Sequence, residues 1–490
     1  MTRRALWQIC LSIAVICSAT IALLFWTDVP LKTIGFPGKQ HDDEKKIPTS
    51  KYYPFRTYSA FGTSINDTTS KSATREQLCE HFPKALLRDI QPVLKVGHGV
   101  VQTRARNSLN SCSACIDDLL IFSDFDEELE GRPIINVISD LPAEHQEQEQ
   151  LIPWKAMNGL PVNGSIMDPE ITGRQGWELD KFKFLLSISR AWRMRPEKRW
   201  YVFYEGDTFV VWDNVFRWLA NFDPDTPQYF GSPSPGREDK GERVWFANGG
   251  PGYIISRAAM RRLVKNDFDQ TTGEYLGSKF TESHWGDVLT DCCGDSVLGW
   301  ALWQEQVRIS GVWPSMNPHP LHGVPFSDQH WCQPVMSMHK VHEKDMVDLW
   351  RWEWAHRDFK RPFLYRDLAL SYLNLTAMQR RNNWDNAAWD GSDAPAGAPH
   401  VSADSCESAC TSHGGCFQWT YHRRRCTFVR SFRLGDAKEP TTPEPETDGE
   451  WTAEDQQFIA GWDTKSIAKW ADERPCKEIQ WLRPSLSRII

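Results

Sequence analysis

Apolar residues fall in short blocks along this chain, and the spacing between blocks changes character along it. Residues 5–27 carry no charge, and 6–26 is long enough to cross a bilayer as a helix. From 30 to about 75 the chain turns polar and loses periodicity, as expected of an extended stem. From residue 92 short apolar runs return. They predict strands at 92–96, 119–123 and 134–138, with a helix over 104–118 between the first two. Residues 199–211 form a denser run, whose aromatic and aliphatic half predicts a strand buried on both faces. That strand delivers Glu205 and Asp207 with only Gly206 between them.

Just before it, residues 176–194 hold the best amphipathic helix of the chain. Leu179, Phe182, Leu185, Leu186, Ile188 and Trp192 share one face, and Lys181 and Lys183 are expected outside it. This helix feeds directly into the acidic strand, a crossover of the βαβ kind. Asp213 is expected to cap a helix through 214–219, and 229–231 reads as a further strand. The alternation predicts an α/β fold with a mostly parallel sheet. Open sheets of this class bind ligands at the carboxyl ends of their strands, where Glu205 and Asp207 fall.

Charge adds a topology. Arg3 and Arg4 precede the apolar run and Asp28 follows it, which puts residues 1–4 in the cytosol. The run is too long for a cleaved signal peptide, and no small-x-small site follows before Pro30, so an uncleaved anchor is expected. Everything after Asp28 then lies in the secretory lumen. Of 13 cysteines, Cys10 and Cys17 sit in the span, and the others face an oxidising compartment where disulfides are the default. Sequons begin at Asn66, Asn163 and Asn374. The net charge of −8 argues against nucleic acid as a partner. The 24 tryptophans fit sugar binding and a large core equally.

Candidate chemistry collects late in the chain. Two acids spaced as Glu205 and Asp207 suit a hard cation and the phosphates it carries, or a polar turn closing a core strand. The glycine-dense stretch 246–257 contains Gly249 and Gly250, which allow close backbone approach to a ligand or a tight turn into a helix at Arg257. Asp295 precedes an apolar helix, where an acid serves as an N-cap or as a general base. His319, His322, His330, His339 and His342 follow, and one of them is a reasonable third ligand beside the two acids.

In this order the pieces resemble the Fringe and β1,3-galactosyltransferase group, glycosyltransferase family 31, and its fungal branch most closely. The strand with its acids is similar to that group's Asp-Asp-Asp signature. Residues 246–253 resemble its Gly-Gly-Ala-Gly-Tyr segment, 294–299 its Asp-Asp-x-x-Leu-Gly segment, and Ser337-Met338-His339 its late Ser-x-His. The resemblance implies a GT-A type nucleotide-sugar-binding sandwich over residues 76–390, in a single-pass type II Golgi protein. It implies inverting transfer of a hexose or N-acetylhexosamine from a UDP-sugar to a glycan or glycoprotein hydroxyl, with a β1,3 linkage. Asp207 and His339 would hold Mn²⁺ or Mg²⁺, with Glu205 near the ribose or the metal. Val96 and Gly97 would lie near the uridine, Gly249 and Gly250 beside the donor, and Asp295 would be the base. One departure stands out, because Glu205-Gly206-Asp207 keeps the last acid and lacks the middle one. A lumenal carbohydrate-binding or scaffold protein that keeps the fold without turnover is therefore the alternative.

Residues 391–490 bring a denser cysteine pattern: Cys406, Cys410, Cys416 and Cys426. Four cysteines allow three pairings. The spacing resembles the PAN/Apple module, which implies Cys406–Cys426 and Cys410–Cys416. Residues 436–450 are rich in Pro, Glu and Thr and read as a flexible loop; order is expected to resume at 451–481, with Cys476 stapling it back.

Overall fold

The computed structural model describes residues 52–55, 59–61, 73–160, 173–386, 390–442 and 451–486. All of them belong to one compact unit, Tyr52–Ile490. The expected anchor at 5–27, most of the stem, and the sequons at Asn66 and Asn163 lie outside the described residues. Among the described residues no helix is long and apolar enough to cross a membrane. Asn374 is described and exposed.

Among the described residues, thirteen strands precede the C-terminal region. In chain order they are β1 (Ile90–Lys95), β2 (Leu120–Ser123), β3 (Glu127–Leu129), β4 (Arg132–Asn136), β5 (Trp200–Glu205), β6 (Phe209–Val210) and β7 (Tyr229–Gly231). There follow β8 (Pro233–Asp239), β9 (Glu242–Ala247), β10 (Tyr253–Ser256), β11 (Ser310–Gly311), β12 (Met316–Asn317) and β13 (Ser337–Met338). Eight of them build the central sheet in the order β11-β7-β10-β5-β1-β2-β4-β3. Only β10 and β3 run against the rest. The expected mixed α/β fold with a mostly parallel sheet, consistent with the GT-A type, is what the chain adopts.

Alternation along β5 explains why it sits at the centre. Trp200, Val202 and Tyr204 enter the core on one side of the sheet, and Tyr201 and Phe203 enter the core on the other. The helix Gly173–Met194 covers the second side through Leu179, Phe182, Leu185, Leu186 and Ile188. Its face is as expected with one correction: Lys183 is 1% exposed, buried where it was expected outside. A buried ammonium needs partners, and Lys183 has them in Asp124 and Asp180, each at 3.2 Å.

Three further expectations are revised. The helix expected over 104–118 is short, a wide turn at Val101–Ala105 running into Arg106–Leu109. Serine hydroxyls compete with the helix beyond it: Ser111 Oγ donates to Asn107 O at 2.6 Å, and Ser108 pairs with Ser113. Asp213 is not a cap. The helix Trp212–Leu219 is capped at Val211, and Asp213 is instead buried against Arg217 and Arg357. The glycine-rich stretch leads into a strand, β10, before the helix Arg257–Leu263, which Ser256 caps by accepting from Ala259 N–H.

The C-terminal region adds β14 (Arg381–Asn382), β15 (Trp384–Asp385), β16 (Ser392–Asp393), β17 (Gln418–His422), β18 (Arg425–Val429), β19 (Asp436–Ala437) and β20 (Ile459–Trp462). Five of these form a sheet in the order β14-β20-β17-β18-β16. Disulfides join Cys406 to Cys426 and Cys410 to Cys416, and Cys476 reaches back 144 residues to Cys332. Phe417, Phe432, Trp462 and Trp470 share a core with Phe326 and Trp331 of the preceding region. Within residues 436–450, Asp436–Ala437 is ordered as β19 against β15, and 443–450 lie outside the described residues. Cys115 pairs with Cys79, while Cys112 stays a buried free thiol beneath Thr208 O.

Candidate functional site

A cleft of about 610 Å³ opens at the carboxyl ends of β1, β2 and β5. Val96, Gly97, Glu205, Asp207, Gly249, Gly250, Asp295 and His339 all line it. These eight candidates, from segments spread over more than 240 positions, are therefore brought to one place; of the five late histidines only His339 lines the cleft, and His319, His322, His330 and His342 do not.

Glu205, Asp207 and His339 form its acidic end. Glu205 closes β5, and a tight turn with Thr208 N–H donating to Glu205 O at 3.0 Å carries Asp207 into the cleft. The short sheet β12-β13-β6 brings His339 to it: Met338 pairs with Phe209, and Val341 N–H donates to Asp207 O at 3.1 Å. His339 Nε2 lies 3.5 Å from Glu205 Oε2 and 3.5 Å from Asp207 Oδ1. Both separations exceed a normal hydrogen bond. Asp207 Oδ1 is buried without any hydrogen-bond partner, which is costly for a carboxylate oxygen unless something cationic completes its surroundings. One ligand atom from each of the three lies within 4.8 Å of the others. Two carboxylates and an imidazole, with an orphaned oxygen between them, fit a divalent cation. Burial pulls the His339 ring down, but the two carboxylates outweigh it and raise it to about 9.

Gly250 is required by this arrangement. A Cβ there would fall 2.1 Å from His339 Nδ1, well inside contact distance. Thr208 Oγ1 donates to Gly250 O at 2.5 Å and fixes the loop against the acidic turn.

Gly206 has a different reason. A Cβ there would lie 2.9 Å from Arg104 Cβ, so the place of a middle acid is taken by Arg104. Its guanidinium reaches Asp207 Oδ2 at 3.0 Å. Burial opposes ionisation of Asp207, but His339 and Arg104 outweigh it and hold the carboxyl below its ordinary range.

Asp295 lies across the cleft in the first turn of the helix Gly294–Gln304, whose N-cap is Cys293 and not Asp295. Its Oδ2 accepts from Gly249 N–H at 2.8 Å and its Oδ1 from Ser296 N–H at 2.9 Å. Burial pushes its carboxyl up to about 6 despite these two donors. A carboxylate poised there is ionised at neutral pH and basic enough to take a proton. Cys292 and Cys293, also at the cleft wall, are disulfide-bonded to each other.

The sequence reading missed the cations of the cleft. Lys95 is buried between Asp180 at 2.5 Å and Glu205 at 3.0 Å, and Lys183 sits behind it on Asp124. Burial disfavours the Lys95 ammonium, yet the two carboxylates raise its pKa well above the ordinary lysine value. Asp124 in turn accepts from His98 N–H at 2.8 Å, closing the turn after Gly97. The signal was present: a lysine inside an apolar strand, and a second on the apolar side of an amphipathic helix, each demand a buried partner.

A family model described as Fringe-like matches residues 172–303. That span includes Glu205, Asp207, Gly249, Gly250 and Asp295 and ends before His339. Over 69 residues the chain is 35% identical to glycoprotein-N-acetylgalactosamine 3-beta-galactosyltransferase 1 of Xenopus laevis. The aligned part covers 14% of this chain and 18% of that relative. The resemblance to the Fringe and β1,3-galactosyltransferase group is thereby supported.

Proposed function

We propose that the protein is an inverting, metal-dependent glycosyltransferase that moves a sugar from a UDP-sugar to a hydroxyl of a glycan or glycoprotein. The observation that carries this reading is the orphaned, buried Asp207 Oδ1 beside Glu205 and His339, in the same cleft as the buried Asp295. Asp207 and His339, with Glu205, would hold the divalent cation, which when bound offsets the charge developing on the departing diphosphate. Lys95 fixes Glu205 through their ion pair, and Lys183 fixes Asp124 beside Gly97. Asp295, oriented by the Gly249 and Ser296 amides, takes the proton from the acceptor hydroxyl as its oxygen attacks the anomeric carbon. The Fringe-like match and the galactosyltransferase relative support a sugar transfer, with a β1,3 linkage as the product. The charge-free run at 5–27 supports a Golgi membrane placement with the cleft in the lumen.

Binding of UDP with and without Mn²⁺ tests this. Asp207→Ala removes the metal-dependent part of the affinity, whereas Asp295→Asn keeps it and loses transfer. UDP binding that ignores both the metal and Asp207 contradicts the proposal. A second reading, a carbohydrate-binding protein without turnover, is favoured by one feature: Arg104 and Lys95 already neutralise the acids that would meet the cation.

A further inference from the structure

We propose a second metal site, formed by residues that do not line the cleft and suited to Zn²⁺: His322, His342 and Asp436. The three come from separate parts of the chain. His322 lies in the turn Leu321–Gly323, His342 precedes the helix Glu343–His356, and Asp436 begins β19 of the C-terminal region. One ligand atom from each lies within 4.8 Å of the other two. Asp436 Oδ1 is 2.6 Å from His322 Nδ1 and 3.3 Å from His342 Nε2. The two imidazole rings stack with centroids 4.6 Å apart and planes 24° apart, so both present a nitrogen to the same carboxylate.

The remaining nitrogen of His322 has the kind of partner that a metal-bound imidazole needs. Nε2 lies 2.8 Å from Asp345 Oδ2, which leaves Nδ1 as the ligand atom. A carboxylate that holds the far N–H of a ligating histidine is the usual outer partner of a metal-bound imidazole, fixing its tautomer and orientation. Asp345 is itself held, since Tyr372 OH donates to Asp345 Oδ1 at 3.4 Å. Backbone geometry supports the approach from the other side: Gly435 N–H donates to His322 O at 2.9 Å, and Asp436 pairs with Asp385 across β19 and β15.

The donor set separates this site from the one in the cleft. Two imidazoles and one carboxylate suit a borderline cation, with zinc first among the common ones, whereas two carboxylates and one imidazole suit Mn²⁺ or Mg²⁺. His342 is 53% exposed at its side chain, which leaves a solvent-facing position for a fourth ligand. The consequence is structural. The cation would tie β19, at the start of the Pro- and Glu-rich segment, to the strand-to-helix connection that carries His339, only three residues before His342.

The test uses the full chain, stripped with a chelator and titrated with Zn²⁺ in the absence of nucleotide. One Zn²⁺ per chain is expected, bound equally well by Asp207→Ala. His342→Ala should weaken it by more than about 100-fold and Asp345→Asn by roughly 10- to 100-fold, the effect of losing an outer partner. Co²⁺ bound to Asp207→Ala should give the visible absorption of a low-coordinate nitrogen and oxygen site, absent in His342→Ala. Zinc uptake that Asp207→Ala abolishes and His342→Ala spares overturns the proposal. So does a folded Asp207→Ala chain that takes up no zinc, in which case the cluster is a protonated His322 between Asp345 and Asp436.

Discussion

Gly250 and His339 interlock: the imidazole occupies the space in which a side chain at position 250 would begin, 2.1 Å from where its Cβ would stand. The glycine-rich segment and the late histidine are thus two halves of one fitted contact. Gly250→Ala should displace the ring while leaving the acids in place. Turnover should fall by about 100-fold, the scale of an ångström-sized misplacement of a catalytic group. The check is kcat against metal concentration, and an unchanged metal dependence would mean that His339 holds no cation.

Arg104 pairs with Asp207 Oδ2 at 3.0 Å, so it would compete with a cation held by that carboxylate. Its side chain is 49% exposed, so its ion pair contributes no more than about 1 kcal/mol. Arg104→Ala should therefore tighten Mn²⁺ binding by roughly 5-fold. Isothermal titration reads this directly. Weaker Mn²⁺ binding would assign Arg104 to the ligand and not to the space of the missing acid.

If the proposed function holds, Asp295 should set the acid limb of activity. Its folded-state carboxyl titrates at about 6, and a general base works only when deprotonated. Turnover should be flat above neutrality and fall as pH drops through about 6. Asp295→Asn should lower kcat by roughly 10²- to 10⁴-fold and remove that limb, with UDP affinity intact. A variant that keeps both rate and pH profile would reduce Asp295 to a first-turn acid of its helix.

The Cys332–Cys476 bridge closes a loop of 144 positions and ties the segment after the helix Thr464–Asp472 to the region before β13. Cys332→Ser should cost about 2–5 kcal/mol in denaturant unfolding. A change confined to the cysteine-rich module, with the rest unfolding as before, would show that the two parts are not one cooperative unit.

Much of this was legible because it is written in period and order. The buried run of β5 and the apolar face of Gly173–Met194 each repeat at the spacing of their element, and the acids, glycines, Asp295 and His339 are local motifs. What escaped depends on contacts distant in sequence. Lys183 reads locally as a solvated charge because Asp124, which receives it, lies 59 residues earlier. Asp213 and Asp295 both looked like caps, because an acid at a helix start satisfies the same local rule whether or not tertiary partners claim it. The meaning of Gly206 was equally hidden, since the side chain filling its space belongs to Arg104, in a segment that was expected to be regular helix.

Metal-dependent release of UDP from a panel of UDP-sugars bears most directly on the account as a whole. The wild-type chain should release UDP from at least one donor in the presence of Mn²⁺ and an acceptor glycan, and release should stop with chelator or in Asp207→Ala. No release from any donor, by a folded chain that still binds sugar, would contradict the account and make this a binding protein.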